Sequence, residues 1–362
     1  MCDENRASVT GFSGNKVIRT PNLDRLAQSG VVFDNAYTPS PICIPARQCM
    51  MTGQYSKACG CNVYGDDLTP GYMTFSRWFS RYAYATVACG KLHHYGQDQM
   101  QGWTRRIGME PEVSPRFIEG KDALSFKECF VSTSDVKWTQ VKEVKRASIG
   151  WGPVRDQDDY TVDGAIRYIQ RHFNDAWYDR EQRKAPLLLK VSLLKPHYPY
   201  LADEELFQYY LNRVEPFIEE ITFDHPAMTP HRIKAGVDAS EREIRRATAA
   251  YYAMVEESDR QFGRVMKALE DVGENLDDWI IIYTTDHGEM QGEHGVWEKQ
   301  KFYEGSAKVP LVIRWPKCFG HRIVHENVNL CDLFATMCEM AELPVPDGLE
   351  SRSLVPLMEG KN

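Results

Sequence analysis

Cys43, Pro45 and Arg47 stand at two-residue steps inside Pro41-Ile42-Cys43-Ile44-Pro45-Ala46-Arg47-Gln48-Cys49-Met50-Met51-Thr52-Gly53. Ser40 and Pro41 break the preceding pattern, and Gln48 to Thr52 reads as helical. Cys43 therefore falls at or just before a helix N-terminus, with Pro45 tolerated in the first turn. That end of a helix carries unpaired N–H groups and partial positive charge, so it favours anions. Arg47 adds a planar fork of donors suited to oxyanions. A cysteine so placed reads either as a buried structural thiol or as the nucleophile of a thiolate phosphatase, because helix N-termini lower a thiol pKa. The phosphatase chemistry wants a longer anion-cradling loop between Cys and Arg. Here three residues intervene, and Pro45 among them has no N–H to donate.

The second chemically dense segment is Thr285-Asp286-His287-Gly288-Glu289-Met290-Gln291-Gly292-Glu293-His294-Gly295-Val296-Trp297-Glu298-Lys299. Asp286 and His287 follow an apolar run and can both turn towards one ion. Hard divalent cations prefer oxygen ligands, and several tolerate one imidazole. Alone, Asp286 would read as a turn cap and His294 as a residue that orders its loop. Two shorter stretches, Gly90-Lys91-Leu92-His93 and Lys195-Pro196-His197, bring ammonium and imidazole groups to the ends of other apolar runs.

Those runs set the frame. Val31 to Phe33, Thr86 to Ala88, Leu187 to Leu193, Trp279 to Tyr283 and Val309 to Ile313 read as buried strands. Helical patterns alternate with them: Asn22 to Ser29, Met73 to Tyr82, Thr161 to Phe173 and Glu241 to Val272. In the last, Ala247, Tyr251, Met254 and Val255, then Phe262, Val265, Met266 and Leu269, make an apolar stripe that reads as core. The alternation argues for an α/β sheet with helices on both faces, whose sites lie at the C-terminal ends of strands. Lys91, His197 and Asp286 all follow predicted strands. About Gln97 to Asp159 and Tyr198 to Ala239 periodicity is weak, and both regions read as loops or insertions near the site.

At 362 residues, 43% hydrophobic and net charge -8, the chain reads as globular, with no apolar run of membrane-spanning length. The acidic balance argues against nucleic acid as a partner, so an anionic substrate needs a local cationic pocket. Ten cysteines (Cys2, Cys43, Cys49, Cys59, Cys61, Cys89, Cys129, Cys318, Cys331 and Cys338) lack the spacing of a disulfide framework and lean towards a reducing, cytoplasmic compartment. Cys89 and Cys331 read as core. Cys59-Gly60-Cys61 has the form of a redox or metal pair, without a second such pair in the sequence. No signal peptide is visible.

The Cys43 motif and the Asp286-to-Lys299 segment resemble the type I, formylglycine-dependent sulfatases of the alkaline phosphatase superfamily. Asp3-Glu4, Gly11, Thr20-Pro21-Asn22-Leu23-Asp24-Arg25-Leu26-Ala27, Phe33-Asp34-Asn35-Ala36-Tyr37, Phe302-Tyr303-Glu304 and Val309-Pro310-Leu311 keep the family's order. The resemblance implies one catalytic α/β domain over residues 1–362, with a central, mostly parallel sheet flanked by helices on both faces. It implies hydrolysis of sulfate esters, sulfated sugars among them, by a formylglycine that a formylglycine-generating or radical maturation enzyme makes from Cys43. Asp3, Glu4, Cys43, Asp286 and His287 would hold Ca2+, with Mg2+ or Mn2+ as alternatives. Lys91, His93, His197 and Lys299 would contact the sulfate, and Arg47 and the metal would stabilise the aldehyde hydrate. One hydroxyl would attack sulfur, His197 would protonate the leaving alcohol and His93 would help expel sulfate; the two histidine roles can be exchanged. His94 has no place in the pattern. The same residues fit a phosphonate or phosphate mono- or diester hydrolase of that superfamily, or an inactive remnant. Against the family pattern the chain reads as cut at both ends, lacking a first strand before Met1 and a small C-terminal subdomain after Asn362. Oligomeric state is left open.

Overall fold

The computed structural model describes residues 1–108, 141–174, 185–218, 223–226 and 228–361. Cys129 and parts of the two weakly periodic regions lie outside the described residues. The predicted strands form β1 (Val31–Tyr37), β2 (Ala85–Gly90), β4 (Leu187–Ser192), β5 (Ile281–Thr284) and β6 (Leu311–Arg314); periodicity missed β3 (Arg105–Ile107), β7 (Arg322–Asn329) and a separate parallel pair of two-residue strands, Ser148–Ile149 and Leu201–Ala202, away from the ladders below. Side chains on a strand alternate between faces. Accordingly Val31, Phe33, Leu311 and Ile313 enter one apolar layer, while Val32 and Val312 enter the layer on the opposite face. Both faces are covered, as the near-continuous apolar runs require.

The strands make two ladders, in the orders β3-β2-β4 and β5-β6-β1-β7. The pairings of β2 with β3 and β4, and of β1 with β7, are parallel; β6 runs antiparallel to β1 and β5. Met1 to Asp3 bridges the two ladders through isolated backbone contacts. The Cys2 N–H donates to the Thr284 carbonyl (3.1 Å), the Asp3 N–H to that of Lys195 (3.3 Å), and the Leu193 N–H to that of Met1 (2.9 Å). The acidic pair Asp3-Glu4 thus leaves the sheet between β4 and β5. The expected central, mostly parallel sheet is thus built as two ladders bridged by Met1 to Asp3.

Seven helices serve the argument: α1 (Pro21–Gln28), α2 (Cys43–Thr52), α3 (Phe75–Arg81), α4 (Pro153–Asn174), α5 (Glu204–Leu211), α6 (Glu241–Asp271) and α7 (Leu333–Met340). Two boundaries correct the sequence reading. α4 begins eight residues before Thr161, and α5 is an ordered helix inside a stretch read as irregular. The 31-residue α6 starts with a capping box between Ser240 and Glu243, and its predicted stripe is core: Ala247, Tyr251, Met254 and Val255 are fully buried. Its polar groups also reach out. Asp259 accepts the Leu23 N–H (2.8 Å), doing for α1 what Thr20 does not, since the Thr20 side chain makes no cap bond. Among the described residues no helix is long and apolar enough to cross a membrane.

Candidate active site

Cys43 is the first residue of α2 and Pro45 its third, as the motif predicts. Ile42 caps the helix without a side-chain bond, so the first-turn N–H groups gain no side-chain partner from the cap. Gly90, at the end of β2, sits at φ 83, and a Cβ there would collide with the Ser192 carbonyl oxygen. Only glycine lets β2 and β4 close up at the edge from which Lys91 and His93 emerge. Gly288 meets the same restriction against the Gly305 carbonyl, just after Asp286 and His287.

The structure brings all ten predicted residues to this one edge, contributed by the ends of β2, β4, β5 and the Met1–Asp3 bridge and by α2. Asp3, Glu4, Cys43, Arg47, Lys91, His93, Asp286, His287 and Lys299 are buried, and His197 is half-buried. One ligand atom from each of Asp3, Cys43, Asp286 and His287 lies within 4.8 Å of the others. The Cys43 Sγ is 3.1 Å from His287 Nε2 and 3.8 Å from Asp3 Oδ1. His287 Nδ1 lies 2.9 Å from the Gly288 carbonyl, so that nitrogen carries the proton and Nε2 presents its lone pair to the cluster. Glu4, at φ 66, has Oε1 buried without a hydrogen-bond partner.

Arg47 is wholly buried and points its fork at carboxylates. Nε donates to Asp286 Oδ2 (2.7 Å) and Nη2 to Asp3 Oδ2 (2.8 Å), while Nη1 donates to the Lys91 carbonyl (2.7 Å) and Ser192 Oγ (3.0 Å). Lys91 Nζ pairs with Asp3 Oδ2 at 2.6 Å. Burial alone would raise the Asp3 pKa, but Lys91 and then Arg47 override it and hold the carboxyl well below its usual range. Burial, then the Asp3 charge, push the Cys43 thiol up to about 12, which makes the thiol a weak nucleophile.

The far side of the site holds a linkage that sequence reading missed. Lys299 Nζ lies 2.8 Å from both Glu4 Oε2 and His197 Nε2, and 4.8 Å from the centre of the Tyr198 ring. His197 Nδ1 lies 2.7 Å from the Tyr198 carbonyl, so Nδ1 donates there and Nε2 accepts from the ammonium. Burial first, then Lys299 and Lys91, lower the His197 pKa well below the usual imidazole value; burial, then Lys91 and Arg47, do the same to His93. Both rings are therefore neutral at neutral pH.

Further residues went unread in the sequence. Glu289 is fully buried beside Glu4; burial first, and then the Glu289 charge against the pull of Lys299, raise the Glu4 pKa well above its usual value. Asp158 accepts the N–H groups of Leu194 (2.6 Å) and Lys195 (3.0 Å), fixing the loop that carries His197. The Tyr251 hydroxyl donates to the Glu4 carbonyl (2.6 Å) and accepts the Arg6 N–H (2.8 Å). Glu289 sits within a segment already singled out; Asp158 lies on a helix where nothing in the pattern marks it, and Tyr251 reads in the sequence only as part of an apolar core stripe. His94 is buried against Gln48. His294 packs edge-on to Tyr303 and Phe223 and, among the described residues, joins no cluster of ligand atoms.

The sulfatase family model matches residues 1–343. An arylsulfatase from Clostridium perfringens is 30% identical over 390 residues, covering 100% of this chain and 78% of that protein. A choline-sulfatase from Rhizobium meliloti is 27% identical, covering 95% and 67%. Arylsulfatase K of Gallus gallus is 28% identical, covering 99% of this chain; the chain spans 65% of that relative's length. Among solved structures, a phosphonate monoester hydrolase of Agrobacterium radiobacter aligns with TM-score 0.74 at 24% identity, covering 100% of this chain and 76% of that one. A protein solved with its substrate D-glucosamine-2-N,6-O-disulfate aligns with TM-score 0.73 at 19% identity, covering 100% and 79%. At such identities the structures speak for the fold, helices on both faces of a mainly parallel sheet. With the family match spanning nearly the whole sequence, the chain belongs to the sulfatase family, the sulfuric ester hydrolases of the alkaline phosphatase-like superfamily.

Proposed function

We propose that the chain hydrolyses sulfate esters with a formylglycine made from Cys43 and a divalent cation held by Asp3, Cys43, Asp286 and His287. The observation that carries this reading is the convergence of those four ligand atoms at the foot of α2. The donors suit the group: two carboxylates, an imidazole with Nε2 turned inward, and the unpartnered Glu4 Oε1 nearby. The Cys43 sulfur stands in for an oxygen of the aldehyde hydrate. Such an oxygen-rich set fits calcium, and magnesium or manganese by the same chemistry. When bound, the cation supplies a Lewis acid for sulfate oxygens and the hydrate supplies the attacking hydroxyl.

The chain's own residues do the rest. Arg47 holds Asp3 and Asp286 at a fixed separation and offsets their charge, and Lys91 stands beside Asp3. A fixed ammonium beside the substrate stabilises the charge that builds on the sulfate without reorganisation. His197 accepts a hydrogen bond from Lys299 at Nε2; an anion bound there favours the protonated ring, which would then donate its proton to the leaving alcohol. His93, neutral and facing Lys91, accepts the second proton. Tyr95 lies 5.2 Å from the His93 ring and Tyr198 lies 4.1 Å from that of His197, flat faces suited to an aryl or sugar leaving group. The test is turnover of 4-nitrophenyl sulfate beside an aryl phosphonate ester, with intact-mass measurement of a loss of about 18 Da at the Cys43 peptide. An unmodified cysteine whose Cys43→Ala variant keeps full activity would sink the aldehyde reading. Preference for the phosphonate would reassign the substrate.

A further inference from the structure

Cys59-Gly60-Cys61 finds its missing partners only in three dimensions. Cys49 lies on α2, six residues after Cys43, and its Sγ is 3.9 Å from that of Cys59. Cys331, on the turn before α7, touches Cys49 on its other side, and Cys61 touches Cys59. The result is a row of four thiols, Cys331, Cys49, Cys59 and Cys61, all buried and packed under Leu68 and Tyr72. None is disulfide-bonded. Among the described residues, no three of these sulfurs lie within 4.8 Å of one another. A row is unlike the closed tetrahedral shell that a structural zinc requires.

We infer that Cys49 and Cys59 form a dithiol that oxidises reversibly to a disulfide, a modification site built onto the helix that carries Cys43. The two sulfurs must close by about 1.9 Å to reach disulfide length. The segment on the Cys59 side can supply that movement. It is a four-residue helix, Ser56–Cys59, with Lys57 and Ala58 exposed, and Gly60 after it (φ 79) has open space around it. Cys59 is also the more acidic member of the pair. Its bonds with Cys49 and then Cys61 lower its pKa, whereas those with Cys331 and then Cys59 raise that of Cys49.

With a low-molecular-weight disulfide such as oxidised glutathione, the Cys59 thiolate attacks one sulfur, breaks the S–S bond and releases one glutathione thiolate. Cys49, giving up its proton, then attacks Cys59 Sγ and releases the second. Two protein thiols lose two electrons, the oxidant gains them, and the two protons end on two glutathione thiols. Tyr64 lies three residues beyond Cys61 and its ring stands edge-on to His93, 5.9 Å between centroids. The disulfide therefore ties a wall of the active site to α2.

The experiment incubates the full chain with oxidised glutathione, blocks remaining thiols with N-ethylmaleimide, and digests without reduction. Two fewer alkylated cysteines than in a dithiothreitol-treated control, with a linked pair of tryptic peptides carrying Cys49 and Cys59 that dithiothreitol separates, is the expected result. Cys59→Ser abolishes the link, and Cys61→Ser and Cys331→Ala each preserve it. Unchanged alkylation overturns the proposal. So does a glutathione adduct that never resolves, a link that survives Cys59→Ser, or one zinc per chain that protects the thiols.

Discussion

Replacing Arg47 by Met tests the electrostatic frame of the site. Arg47 bridges Asp286 and Asp3 at 2.7 and 2.8 Å, and all three side chains are wholly excluded from solvent. Removing the guanidinium leaves two buried carboxylates facing one another with only Lys91 near Asp3. Breaking such a buried pair costs about 3–5 kcal/mol. A chain of 362 residues unfolds with an entropy near 0.8 kcal/mol per degree, so the melting temperature in EDTA should fall by about 4–7 °C. Calcium should then act unequally. In the wild type the guanidinium repels a dication; in Arg47→Met the dication takes its place between the carboxylates. The variant should bind calcium more tightly and gain more degrees from it than the wild type does. Arg47→Lys, which keeps the charge but loses the fork, should fall between. Differential scanning calorimetry with and without calcium reads all three. Equal melting temperatures in EDTA, or equal calcium increments, would refute the assignment of Arg47 as the counter-charge of both ligands.

Asp286→Asn should abolish calcium binding in titration calorimetry and remove activity that EDTA also removes and calcium restores in the wild type; an active, EDTA-resistant variant would contradict the ligand set. His197→Gln should lower kcat by roughly 10²–10⁴ for an alkyl sulfate but far less for 4-nitrophenyl sulfate, whose leaving group needs little protonation; equal losses on both would remove His197 as the acid. Acid should destabilise the fold in two steps. Because burial and then Lys91 or Lys299 depress the folded pKa of His93 and His197, the unfolded chain takes up protons below about pH 6.5 that the folded chain does not. Asp3 is held low by Lys91 and Arg47 against its burial, so its contribution is present above about pH 4 and is lost as pH falls further. Melting temperatures from pH 8 to 4 should therefore decline first near 6.5, and His93→Gln should flatten that first limb; an unchanged limb would speak against a buried neutral His93.

The edge that carries the candidate site was legible because its chemistry is local. Cys43, Pro45 and Arg47 are spaced by one helical turn, and Lys91, His197 and Asp286 each follow an apolar run that could only be a strand. What the sequence hid is the pairing between segments. The placing of Arg47 as counter-charge and of Lys299 as hydrogen-bond donor to His197 depends on contacts 239 and 102 residues apart in the chain. β3 and β7 escaped notice for a different reason. β3 spans three residues and β7 exposes most of its length, so neither carries the apolar run that marks a buried strand. α5 was lost inside a Pro- and Tyr-rich stretch although Asp203 caps it by accepting the Glu205 N–H (3.0 Å). That cap is a signal which could have been read.

The long helix α6 places a constraint of another kind on this chain. Tyr251 holds the acidic loop, Glu256 and Glu257 bond Tyr210 and Lys195, and Asp259 caps α1. These contacts are reached from one rigid rod about 46 Å long. Inserting a single residue between Tyr251 and Glu256 would turn everything beyond it by about 100° and shift it by about 1.5 Å. Tyr251 and the three acids could not then all face their partners. Surface loops can absorb added or lost residues; within this span of α6 the residue count itself is fixed by helix geometry, whatever the side chains between the anchors are.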